Sequence, residues 1–320
     1  MFKQVVEVVM WHYEGFLAKA KLYFGRAAEH DEADDEFALW LLLGLEFLLR
    51  APLAKVHPSL LAGPEGDSIL HAAGVIKTAS QPRSIPAKTV IDRLKYVISG
   101  FGDDRQRDAL YLANLRNGEL HSGEPVLART ADDLWLPRFV SIVEALCSHL
   151  GVPAEDLVSE EILKHARALR VEVDKALERR VQDLISKSRY FFERLTSEEV
   201  EARKNAFALR VEPLMGKERG VTCPACDSRG DLLIVPGRTT RSKFHEVDNE
   251  FVYSVVYIAQ SFECPVCGLS LADTAMVTAA GIERVYVETF SEDRYEGWET
   301  SVSDEAIRDA GFYASDDYED

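Results

Sequence analysis

Only five of the 320 residues are cysteine, and four of these fall in two Cys-Pro-x-Cys pairs. That suits a reducing compartment and a metal better than a disulfide framework. The N-terminus lacks the basic region and the small-residue cleavage site of a secretory signal. Long hydrophobic runs are also missing: the longest, 37–49, is interrupted by Gly44 and Glu46 and is expected to be too short for a bilayer. These absences predict a cytoplasmic chain with no membrane partner. Positive charge is scarce as well, with 37 Lys and Arg against 54 Asp and Glu and a net charge of −17, which argues against a high-affinity, general nucleic-acid binder.

The charge is unevenly spread. Residues 251–320 carry −12 of the total, whereas the first 250 carry only −5. Within the latter, 51–100 is mildly positive through Lys55, Lys77, Arg83, Lys88, Arg93 and Lys95, so a local basic cleft remains compatible with the bulk acidity.

One stretch gathers a permanent cation, a carboxamide and an imidazole within six residues: Arg116, Asn117 and His121. An arginine only donates hydrogen bonds and stabilises negative charge, while an imidazole exchanges a proton near neutrality. Cleaving a phosphodiester through the ribose 2′-hydroxyl needs those two abilities and no metal. A five-residue step turns about 140° on an ideal helix, however, so Arg116 and His121 converge poorly, whereas Asn117 and His121 share a face. Two remedies are open: Gly118 deforms the backbone, or a second copy completes the site across a dimer axis. The bland alternative is a solvated helix-end arginine followed by an exposed turn histidine.

The pattern Arg116-Asn117-x-x-x-His121, inside an N-terminal segment that reads as all-helical, resembles the motif of HEPN ribonucleases, the "higher eukaryotes and prokaryotes nucleotide-binding" superfamily. The resemblance implies a small helical bundle that dimerises so that two motifs face one cleft, and metal-independent RNA cleavage in antiviral defence or toxin–antitoxin settings. It also implies that Arg116 stabilises the scissile phosphate, that His121 acts as acid or base, and that Asn117 orients one of them. RNA, a second copy of the chain and an inhibitory antitoxin or defence-system partner are the partners it suggests.

The pattern along the chain predicts a HEPN-like bundle over 1–158, a long helical linker or coiled coil over 159–215, a zinc-ribbon-like domain over 216–295 and an acidic tail over 296–320. The helix expected over 36–50 is apolar almost all round and should be the most buried. Glu46 is its exception. Its carboxylate needs a partner, either Arg50 one turn on or, more sharply, Arg116. Thr89 reads as the N-cap of a helix around Val90 to Val97, the motif helix should end near Ser122-Gly123, and Cys147 reads as core. Between 159 and 210 there is neither proline nor glycine, and apolar residues recur every three or four positions. This predicts one long amphipathic helix, either a stalk joining two protomers or a spacer folded back on the bundle.

The most specific motif is Cys223-Pro-Ala-Cys226 with Cys264-Pro-Val-Cys267-Gly268. Four thiolates in two such knuckles match the tetrahedral, soft-ligand preference of Zn²⁺. A redox role for one pair is the alternative; His57 and His71 have no metal-ligand spacing, and His245 would substitute as a ligand only if a cysteine were disengaged, so it is left out of the set. Strand-like runs at 231–235, 251–262 and 284–290 suggest a zinc ribbon with a long hairpin insertion. With all four positions filled by sulfur, the metal should stabilise its domain and leave the chemistry to the helical bundle. A short helix is expected at 303–310, within an acidic tail that is either solvated or a mimic of nucleic acid.

Overall fold

The computed structural model describes residues 11–77, 82–207, 217–239, 243–245 and 250–293. The tail over 296–320, its expected helix and the start of the first helix lie outside them. The chain divides into two compact units, Met1–Arg180 and Val181–Asp320. Helices make up the first: α1 (Tyr13–Ala27), α2 (Asp35–Val56), α3 (Gly66–Ala72), α4 (Ala87–Val97), α5 (Asp103–His121), α6 (Asp132–Leu150) and the opening turns of α7 (Glu160–Phe192). The division falls inside α7, so the stretch expected as a separate linker contributes to both units. The second unit holds the end of α7, α8 (Ser197–Phe207), β1 (Lys217–Thr222), β2 (Arg229–Thr239), β3 (Lys243–His245), β4 (Glu250–Glu263), β5 (Ser270–Leu271), α9 (Thr274–Ala279) and β6 (Val285–Asp293). Helices followed by an antiparallel sheet is the layout the sequence predicts.

Helix α2 is the axis of the first unit. Asp34 caps it, accepting from the Glu36 backbone N–H, and Leu41, Leu45, Leu48, Leu49 and Leu53 are buried along it. It runs 22 residues, continuing through Pro52, where the sequence pattern suggested an end near Arg50. The expectation that this run is too short for a bilayer is therefore corrected: by length and composition α2 could cross one, but most of it is buried in the bundle. Its own Phe37 meets Trp135 of α6 at 6.3 Å, and beside it Phe24 of α1 meets Phe139 of α6 edge to face at 5.7 Å. Gly44 faces the Phe24 ring so closely that a Cβ there would lie 2.5 Å from it, which lets α1 and α2 approach.

Two other local expectations are corrected. Helix α4 starts at Ala87 after Pro86, so Thr89 lies inside it and does not cap it. The predicted single helix over 159–210 is two helices. Thr196 and Glu199 form a reciprocal capping box, with Thr196 N–H donating to Glu199 Oε2 at 2.8 Å and Glu199 N–H to Thr196 Oγ1 at 3.2 Å. The box starts α8 without any proline or glycine to announce the break. At the other end, α6 closes at Gly151 in the left-handed conformation (φ 71°), and Glu144 on α6 binds Arg167 and Arg170 of α7 at 2.8 and 2.7 Å.

The sheet of the second unit is organised on β4, whose 14 residues pair with β2, β3, β5 and β6, all antiparallel. One face has Tyr253 stacked on Phe290 at 5.6 Å, and buried Leu232, Ile234, Ala259 and Phe262. On that face Glu288 of β6 binds both Lys217 (2.7 Å) and Arg219 (3.6 Å) of β1, so the sheet curls to bring its outer strands together.

Candidate functional sites

Helix α5 carries the arginine, the asparagine and the histidine, and it is unbroken through His121, with Ser122 as its C-cap. Gly118 does not deform it. Its place is explained by packing, because a Cβ there would lie 3.1 Å from Val126 of the following loop. That loop is pinned to the helix by the Leu127 N–H, which donates to Glu119 Oε2 at 2.9 Å. Glu119 and Val126 thus fix the end of the helix on which His121 sits. Neither stands out in the sequence, because their role depends on the loop folding back.

The helical spacing separates the motif as its geometry requires. Arg116 lies on the inward side with buried Leu112 and Leu115, while Asn117 and His121, four residues apart, are exposed. Arg116 meets Glu46 of α2 in an ion pair, and Glu46 also binds Arg50 at 2.8 Å. Both candidate partners of Glu46 are therefore used at once. One carboxylate between two guanidiniums leaves a net charge of +1 in a largely dry site. Burial pushes the Arg116 guanidinium below its usual range and that of Arg50 down to about 10, and both remain cationic near neutrality. Among the described residues, Arg116 has no other acceptor and the His121 side chain has no hydrogen-bond or ion-pair partner. Within one chain these two groups do not converge on a common point.

The second site does converge. Cys223 and Cys226 follow β1, Cys264 and Cys267 follow β4, and all four are buried and unbridged. Their Sγ atoms lie within 4.8 Å of one another, with Cys223 to Cys267 and Cys226 to Cys264 both 3.6 Å apart. A tetrahedron of sulfurs about 2.3 Å from zinc has edges of about 3.8 Å, so the donor set fits a metal ion. With the sulfurs this close, ionising one thiol raises the cost of ionising its neighbours, and burial adds to that cost, so Cys223 and Cys267 are pushed up from the usual thiol range. Only a cation would let all four exist as thiolates together.

The knuckles are built alike. The residue after each second cysteine is left-handed, Asp227 (φ 58°) and Gly268 (φ 74°), and in each turn its N–H donates to the first cysteine's carbonyl, at 3.1 and 2.9 Å. Glycine at 268 meets this demand without strain, while Asp227 meets it against its Cβ. Cys147, the fifth cysteine, is apart from this cluster. It is buried on α6 and its thiol is pushed up to about 12, chiefly by burial, which makes it a core residue.

The chain matches no family model, no curated protein and no solved structure.

Proposed function

We propose that this chain is a HEPN-like, metal-independent endoribonuclease whose site is completed by a second copy, joined to a zinc-ribbon-like domain that holds structural Zn²⁺ on Cys223, Cys226, Cys264 and Cys267. The observation that carries the catalytic reading is the state of Arg116: a half-buried guanidinium, anchored by Glu46, with N–H groups left over and a net positive charge around it. A phosphate is the ligand such a site suits. Exposed His121 at the end of the same helix would enter the partner's cleft, with Asn117 on its face to orient it. Arg116 then stabilises the phosphorane while His121 of the other copy takes the 2′-hydroxyl proton or gives one to the leaving oxygen. The product is a 2′,3′-cyclic phosphate and a 5′-hydroxyl. Zinc would supply fold stability and no step of this chemistry. The setting, prokaryotic defence or a toxin held by an antitoxin in the cytoplasm, rests on the resemblance alone.

The test is RNA cleavage by purified protein in EDTA, with zinc content measured alongside. Activity that is lost in both Arg116→Ala and His121→Ala supports the proposal. Undiminished activity in either variant removes that residue from the mechanism, and in both removes the site.

A second reading has its own support. The Glu46 ion pair is also what a purely structural arginine would make, and the two motif residues diverge within one chain. On that reading the molecule is a non-catalytic dimeric module that binds a protein or a nucleic acid. Overproduction separates the two: growth arrest by the wild type but not by His121→Ala favours the nuclease.

A further inference from the structure

Two arginines outside both sites point at the cysteine knuckles. Arg189, in the last turn of α7, donates from Nε to the Ala225 carbonyl at 3.3 Å and from Nη2 to that of Pro224 at 3.1 Å. Arg203, on α8, donates to the Val266 carbonyl at 3.4 Å and stacks on Phe191 of α7 at 5.0 Å. Ala225 and Val266 occupy the same place in the two knuckles, immediately before the second cysteine of each pair. One knuckle is thus held from α7 and the other from α8, and the Thr196–Glu199 capping box makes the corner that lets both arginines reach.

Glu193, Glu199 and Glu201 lie in the same stretch, yet among the described residues neither Arg189 nor Arg203 takes an acidic partner. Glu199 caps α8 and Glu201 pairs with Lys204, while both guanidiniums are given to knuckle carbonyls. The charge of a loaded site gives the reason: four thiolates around a divalent ion leave two negative charges in excess, and two guanidiniums offset them.

We propose that Arg189 and Arg203 are positioning residues of the metal centre. They fasten both knuckles to the α7–α8 corner and compensate the surplus charge of a four-thiolate site, so that metal occupancy and the order of residues 181–207 rise and fall together. The inference rests on the reading that the four cysteines bind zinc.

The experiment uses full-length, zinc-loaded protein. Zinc per chain is measured by elemental analysis, affinity by competition with a chromophoric chelator, and order by amide hydrogen exchange. Wild type should hold about one zinc, and stripping it should speed exchange over 181–207 as well as in the knuckles. Arg189→Gln and Arg203→Gln should each weaken zinc about tenfold, and lysine at either position, which keeps the charge and loses the fork, should recover part of that loss. Zinc held as tightly in the glutamine variants as in wild type, or exchange over 181–207 indifferent to zinc, would overturn the proposal. The exchange comparison needs no variant, so a variant that fails to fold does not protect the idea. Wild-type protein that binds no zinc is a different outcome, and it would sink the metal reading itself together with this inference.

Discussion

The two candidate sites make opposite uses of the backbone. The cysteines sit on two tight turns at strand ends, so one chain brings all four sulfurs within 4.8 Å. Arg116 and His121 sit on one straight helix, whose geometry sends them to different sides. A site built from turns is complete in the monomer, whereas a site built from one face-changing helix segment needs either a distortion or another copy. The unbroken α5 removes the distortion, which leaves the second copy as the element the catalytic reading requires.

The contrast can be broken first at the metal. Cys264→Ser should abolish stoichiometric zinc and unfold the sheet unit, because binding at a structural zinc site is worth about 10–16 kcal/mol. The helical unit should keep its circular dichroism signal. Loss of both signals together would mean that the two units do not fold separately. Next in size are the catalytic variants: Arg116→Ala and His121→Ala should each lower RNA cleavage about 10²–10⁴-fold with zinc content unchanged. A fall in zinc in either variant would show that the two sites are coupled.

Glu46→Ala comes third. It leaves buried Arg50 and half-buried Arg116 without their shared carboxylate, and breaking a buried ion pair costs up to about 3–5 kcal/mol. Thermal unfolding of the helical unit should show this loss, while Arg116→Ala, which leaves the Glu46–Arg50 pair intact, should cost less. If the two cost the same, the Arg50 contact contributes nothing. The smallest effect is expected at Asp227→Gly, which relieves a left-handed residue and should stabilise the sheet unit by about 1 kcal/mol. A destabilising result would show that the Asp227 side chain has a role of its own.

How far each site could be read in the sequence follows from the same contrast. Four cysteines at fixed spacing on short turns specify their own geometry, and the structure places them together. Glu46 stands out because a carboxylate amid the apolar run of α2 demands a partner; the sequence offers Arg50 and Arg116 as alternatives, and the packing of α5 on α2 shows that both bind it. Helix ends were harder. The Thr196 box was hidden in a stretch without proline or glycine, and Pro52 suggested a boundary that α2 passes through. Strand β1, Lys217–Thr222, went unread because its charged residues give no apolar alternation, and they are explained only when Lys217 and Arg219 meet Glu288 across the curl. Asp273 as the N-cap of α9, accepting from the Met276 N–H at 2.8 Å, was legible in principle from an acid three residues before Met276.

The central claim is that Arg116 of one chain and His121 of another act on one phosphodiester. It is tested most directly by mixing Arg116→Ala and His121→Ala proteins, each inactive alone, under conditions that exchange subunits. A heterodimer then holds one composite site with both groups intact. Random pairing should restore about a quarter of wild-type RNA cleavage. Proven heterodimers that remain as inactive as their parents, beside an active wild type, would contradict the account.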